Sequence, residues 1–122
     1  MRLLTLVYII NAVLLLLHEI ESAYAKEWEI LKLPGRITFF LLLHIPIIFV
    51  LFIGLLEVEK LTWWGALIAI LAGIGGSVPF LVHKVIVRRE GYFDSTISNS
   101  IIYLNLLTGL ITVIIAAGLI KC

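Results

Sequence analysis

The sequence predicts an all-α fold, an integral-membrane four-helix bundle, and three observations carry that prediction. The chain of 122 residues is 62% hydrophobic and 14% charged, and its mean hydropathy is +1.18, too apolar for a soluble domain of this size. Four runs carry no Asp, Glu, Lys or Arg: Leu3 to Leu17, Ile37 to Leu56, Leu61 to Val82 and Ser95 to Ile120. Each approaches the ~20 apolar residues that cross a hydrocarbon core of ~30 Å, the first by continuing a little past His18. Four spans, at approximately 3–25, 36–57, 61–87 and 95–121, use nearly the whole chain and leave a single transmembrane domain.

The elements follow in order. Arg2, the apolar run behind it and "AYA" at Ala23 to Ala25 imitate a cleaved secretory signal, but the stretch is read as the first span. The second span departs from apolar residues only at Thr38, His44, Pro46 and Gly54. Pro46 lacks an N–H and displaces the Leu42 carbonyl, so a kink is expected beside His44. In the third span Gly65, Ala69, Gly73 and Ser77 recur every four residues, a small-residue ladder that lets two helices approach closely. "GGSVPF" then sets Pro79 ahead of His83. Ser98, Asn105, Thr112 and Ala116 form a packing or hydrogen-bonding stripe on the fourth, with Asn99 to one side.

Basic residues orient the spans. Lys26, Lys32, Arg36, Lys84, Arg88 and Arg89 lie in the first and third connections, and Arg2, Lys60 and Lys121 on the opposite side. The positive-inside rule therefore puts those two connections in the cytoplasm and both termini outside a plasma (inner) membrane crossed several times. Trp28, Trp63 and Trp64 stand where interfacial anchors are expected. Lys26, Glu27, Glu29 and Lys32 read as a solvated amphipathic turn.

All three histidines fall in the cytoplasmic leaflet. At ~1.5 Å of rise per residue, His18 lies roughly 12 Å below Lys26, His44 roughly 12 Å below Arg36 and His83 roughly 8 Å below Arg88. Their depths agree within one helical turn. At ~100° per residue, Asn11, Ser22, Ala25 and Glu29 fall within about 40° of His18, and Glu21 about 60° away on the same broad face. Glu19 is about 100° from His18 and faces the bundle only if the helix shows two neighbours a wide buried sector. Ionisable side chains at membrane depth are costly without partners and are functional candidates by default.

Their chemistry suits a metal. His18 and Glu21, at i and i+3, can hold one ion from a single helix, and with His44 and His83 they would give three nitrogens and one carboxylate around a divalent metal, zinc favoured over iron. An open coordination position would carry an activated water, with Glu19 as the catalytic general base. A zincin-type "HExxH" is excluded because Ser22 stands four residues after His18. The sole cysteine, Cys122, offers no thiolate cluster or disulfide framework.

"HEIE" followed by "KEW" on the first helix, "LLLHIP" on the second and a third histidine near the end of the next resemble small bacterial four-helix membrane proteins of unknown function named for an HXXEE motif. His18 and Glu21 match the first and fourth motif positions, and Ser22 stands at the last. The resemblance implies a membrane-embedded polar site and names no substrate.

Three functions remain open at this point. The first is a metal-dependent membrane enzyme, a hydrolase ahead of an oxidoreductase, acting on a lipid or other amphiphile that enters from the bilayer. The second is a small proton- or metal-coupled transporter using the same His and Glu residues. The third is a non-catalytic membrane subunit. Membrane lipid is the expected partner and a homo-oligomer is allowed; a net charge of +1 gives no reason to expect nucleic acid.

Overall fold

The computed structural model describes residues 2–24, 26–30, 32–86 and 95–121. Arg88, Arg89 and Gly91 lie outside the described residues, as do Ala25 and Cys122. The helices are α1 (Leu3–Tyr24), a single turn α2 (Glu27–Ile30), α3 (Arg36–Glu59), α4 (Trp63–Phe80) and α5 (Thr96–Lys121). Beyond Phe80 the chain continues as a π-helical stretch, Leu81–Ile86. Four helices are long and apolar enough to cross a membrane: Leu3–Tyr24, Arg36–Glu59, Trp63–Lys84 and Thr96–Ile120.

The bundle turns its oil outward. Ile45, Phe49, Phe52 and Leu56 of α3 and Leu107 and Ile114 of α5 are exposed, as lipid-facing side chains are. The interior holds small and polar residues, because no hydrophobic force separates helices from lipid tails and association rests on close packing and hydrogen bonds. Seven residues of α4 are buried, and all are Gly, Ala or Pro. Helices α1 and α4 touch each other and both flanking helices; α3 and α5 share no contact among the described residues. Thus α1 and α4 form the central pair, with α3 on one side and α5 on the other.

The small-residue ladder divides between two partners. A Cβ on Gly73 would lie 2.6 Å from the Gly109 carbonyl oxygen and 2.7 Å from Val113 Cγ2, so α4 and α5 cross backbone to backbone. Gly65 abuts the Glu57 backbone instead, at the tight α3–α4 connection. There Thr62 caps α4 by accepting the Gly65 N–H at 2.9 Å, as an N-cap hydroxyl does, while its own hydroxyl donates to Glu57 Oε2 at 2.7 Å. Below that connection, Gly54 of α3 makes room for Ile68 and for the Tyr8 hydroxyl, which donates to the Leu51 carbonyl at 2.7 Å.

Polar side chains tie α1 to the opposite flank. Asn11, fully buried, donates to the Ala72 carbonyl at 2.9 Å and accepts the Thr108 hydroxyl at 3.1 Å. The residues buried along α1 are Leu4, Thr5, Tyr8, Asn11, His18 and Ser22. Asn11, His18 and Ser22 of the sequence stripe are thus turned inward, and that rotation places the site.

Candidate functional site

The site sits at the end of the bundle marked by Pro46 within α3 and Pro79 near the end of α4. His18 is 3% exposed, with Nε2 3.3 Å from Ser22 Oγ one turn along the same helix. His83, also buried, meets it edge-on, with ring centroids 5.1 Å apart and planes inclined at 62°. Pro79 removes a backbone donor just before the helix widens into its π-helical stretch. That local change of winding carries His83, and π-turns of this kind recur at functional positions.

The third histidine faces a different partner. His44 Nε2 lies 2.5 Å from Glu19 Oε2, and Nδ1 lies 2.6 Å from the Phe40 carbonyl oxygen. A carbonyl only accepts, so Nδ1 bears a hydrogen and donates it. Nε2 then either receives the proton of a Glu19 carboxylic acid or donates its own to the carboxylate. In both forms the two residues share one proton and their charges sum to zero. A neutral pair is far cheaper at membrane depth than a lone carboxylate. The His44 ring also lies against Phe40, with centroids 4.1 Å apart and planes inclined at 31°, and Phe40 meets Trp28 of α2 at 5.6 Å.

Glu21 turns the other way. Its Oε2 accepts the Ser98 hydroxyl at 2.6 Å, at the start of α5, where the Ser95 hydroxyl accepts the Ser98 N–H at 3.1 Å. A carboxylate at a helix N-terminus also meets the positive end of the helix dipole. Nearby, Lys84 donates to Asn99 Oδ1, with its ammonium 5.9 Å from the centre of the Tyr103 ring. The side chains proposed for one ion, His18, Glu21, His44 and His83, therefore stand in three contacts: His18 with His83, His44 with Glu19, and Glu21 with Ser98. Among the described residues no three His, Cys, Asp or Glu side chains gather closely enough to hold a metal ion.

Beside the Glu19–His44 pair opens a cavity of about 460 Å³ between α1, α3 and α4. His18, Glu19 and His44 form its polar wall; Leu15, Leu51, Ile68, Ala72 and their neighbours form the rest. Ile47, Val50, Leu71 and Val78 line it and are also exposed on the outer surface, so it opens sideways between α3 and α4. Pro46 and Pro79 both border it.

With this geometry in view, comparison places the protein in a family. A model of a family of unknown function, DUF6713, matches residues 4–119. The chain belongs to the DUF6713 family. The match takes in all four long helices but for Leu3, Ile120 and Lys121, and covers each of His18, Glu19, Glu21, His44 and His83. No curated protein and no solved structure matches the chain.

Two features of the site escaped the sequence reading. It read Glu19 as the general base of a metal-bound water and did not pair it with His44; the signal was the 100° offset of Glu19 from His18, which aims it at a second neighbour. It also missed Ser98 as the partner of Glu21, although a Ser-rich helix start at Ser95 to Ser98 was legible.

Proposed function

We propose that this protein takes a membrane-soluble amphiphile into the cavity between α1, α3 and α4 and acts on its polar group with the Glu19–His44 pair. One observation carries the reading: an apolar cavity, open at its side, ends on a carboxyl and an imidazole 2.5 Å apart. Its volume falls within the ~300–1,000 Å³ typical of small-molecule sites, whose walls are mostly apolar with a few convergent polar groups. A carboxyl and an imidazole in hydrogen-bond contact can deliver a proton to a leaving group or take one from a nucleophile. The membrane supplies the substrate, and both termini face outward across a plasma membrane.

The His18–His83 contact favours a second, metal-dependent form of the same reading. The two imidazoles approach to 5.1 Å between centroids and would each offer one nitrogen to a divalent ion, zinc ahead of iron. Two experiments separate the forms. Lipid extracted from purified protein and identified by mass spectrometry should include a stoichiometric amphiphile that is lost from a Gly75→Leu variant, because Gly75 borders the cavity. Its persistence in Gly75→Leu would overturn the cavity reading. Elemental analysis should find one zinc per chain, lost on replacing His83, if the metal-dependent form is right; a metal-free protein with full activity would end that form alone.

A further inference from the structure

We infer that the amphiphile carries an uncharged, hydroxyl-bearing head, a conclusion that rests on the cavity reading above. The cavity is elongated. Along α4 its wall runs through Ile68, Leu71, Ala72, Gly75, Val78, Pro79 and Val82, one face of the helix at steps of three and one residues. The fourteen steps from Ile68 to Val82 span about 21 Å at ~1.5 Å each. That length lets a hydrocarbon tail lie along α4, with its head at one end of the column.

The polar wall argues for the head. Val82 borders the cavity immediately before His83, which touches His18, so the polar groups lie at the α4 C-terminal end and the column runs from there toward Ile68. Glu19 is the more open member of the pair, its side chain 25% exposed against 13% for His44. A head that enters therefore meets a carboxyl first. A phosphate, sulfate or carboxylate would bring a net negative charge into a low-dielectric wall where the neutral Glu19–His44 pair supplies no counter-charge, and burying an unpaired charge is costly. Neither Lys nor Arg lines the cavity among the described residues. A fixed cation would pair with Glu19 but leave His44 Nε2 competing for the same carboxylate. A hydroxyl both donates and accepts, and so completes the hydrogen bonds of an acid–base pair in either of its protonation forms.

Three probes with one chain and different heads test this: hexadecanol, hexadecyl sulfate and hexadecyltrimethylammonium, each titrated against a fluorescent long-chain alcohol bound to the full-length protein in nanodiscs. Hexadecanol should displace the reporter about ten-fold more tightly than either charged probe, the scale of one well-made hydrogen bond. Glu19→Gln should narrow the gap to hexadecyl sulfate. Gly75→Leu should abolish displaceable binding. Leu71→Trp, at an exposed position on the cavity wall, should do the same and guards against a folding defect in the first variant. Tighter or equal binding of a charged probe, with Gly75→Leu and Leu71→Trp still blocking it, would overturn the head-group inference and leave the cavity reading standing. Saturable binding that neither variant weakens, or none in the unmodified protein, would overturn both.

Discussion

Gly73 is where the structure sets the sharpest stability test. A Cβ placed there would sit 2.6 Å from the Gly109 carbonyl oxygen and 2.7 Å from Val113 Cγ2, whereas ordinary contact begins at 3.4 Å. The shortfall to the carbonyl is 3.4 − 2.6 = 0.8 Å, and neither obstacle can swing aside: one is backbone, the other a β-branched side chain stiff at χ1. Gly73→Ala must therefore push α4 and α5 apart over their whole crossing, at ~1–3 kcal/mol, the range for forcing extra atoms into a packed interior. Gly75→Ala provides the comparison, since its new Cβ would meet only Leu15 Cδ2 at 3.7 Å. Gly118→Ala meets nothing within 4 Å. Reversible unfolding in mixed micelles, followed by far-ultraviolet circular dichroism, should place Gly73→Ala well below the parent, with Gly75→Ala and Gly118→Ala at or above it. Equal stability of all three would refute the argument that α4 and α5 meet at Gly73 and Gly109.

Further outcomes follow from single contacts. Tyr8→Phe removes the bond to the Leu51 carbonyl and should cost ~0.6–1.7 kcal/mol in the same unfolding assay, the range measured for hydrogen bonds between membrane helices. Asn11→Ala removes two such bonds, to Ala72 and Thr108, and should cost ~1–3 kcal/mol. Exchanging Glu19 and Ile20 keeps composition constant but moves the carboxylate to a position 67% exposed on the lipid side; at ~2.5 kcal/mol or more for an acid in the bilayer, folded yield should fall steeply, and an unchanged yield would contradict the rotation of α1. With Cys122 replaced, single cysteines at Lys32 and Gly91 should react with an impermeant thiol reagent only from the cytoplasmic side, and labelling of both from outside would reverse the orientation.

The bundle was legible because lipid leaves few solutions: long uncharged runs must be helices, and their interior must be small or polar. The stripe of Asn11, His18 and Ser22 fixed the rotation of α1, since turning it outward would set an amide and an imidazole in hydrocarbon. The matched depths of the three histidines led to the expectation that they meet at one point; His18 and His83 touch, whereas His44 meets Glu19. The rotation of α3 was hidden. Apart from His44 its span is almost uniformly apolar, so no stripe says which way that histidine points, and its pairing with Glu19 depends on the angle between two helices rather than on spacing within either. The π-helical winding around His83 was hidden too, because proline announces a break and not the geometry that follows it.

The two acids near the end of α1 show what that rotation accomplishes. Glu19 and Glu21 are about 200° apart around the helix, so they cannot share one partner, and any rotation that buries one more deeply against a single neighbour would expose the other to lipid. Placing α1 between α3 and α5 removes the conflict: Glu19 reaches His44 on one flank and Glu21 reaches Ser98 on the other, while His18 between them meets His83 on the extension of α4. Three polar side chains thus engage three different helices. The arrangement satisfies the carboxylates within the bundle and still leaves the wall of the cavity polar at one end only, where Glu19 and His44 meet.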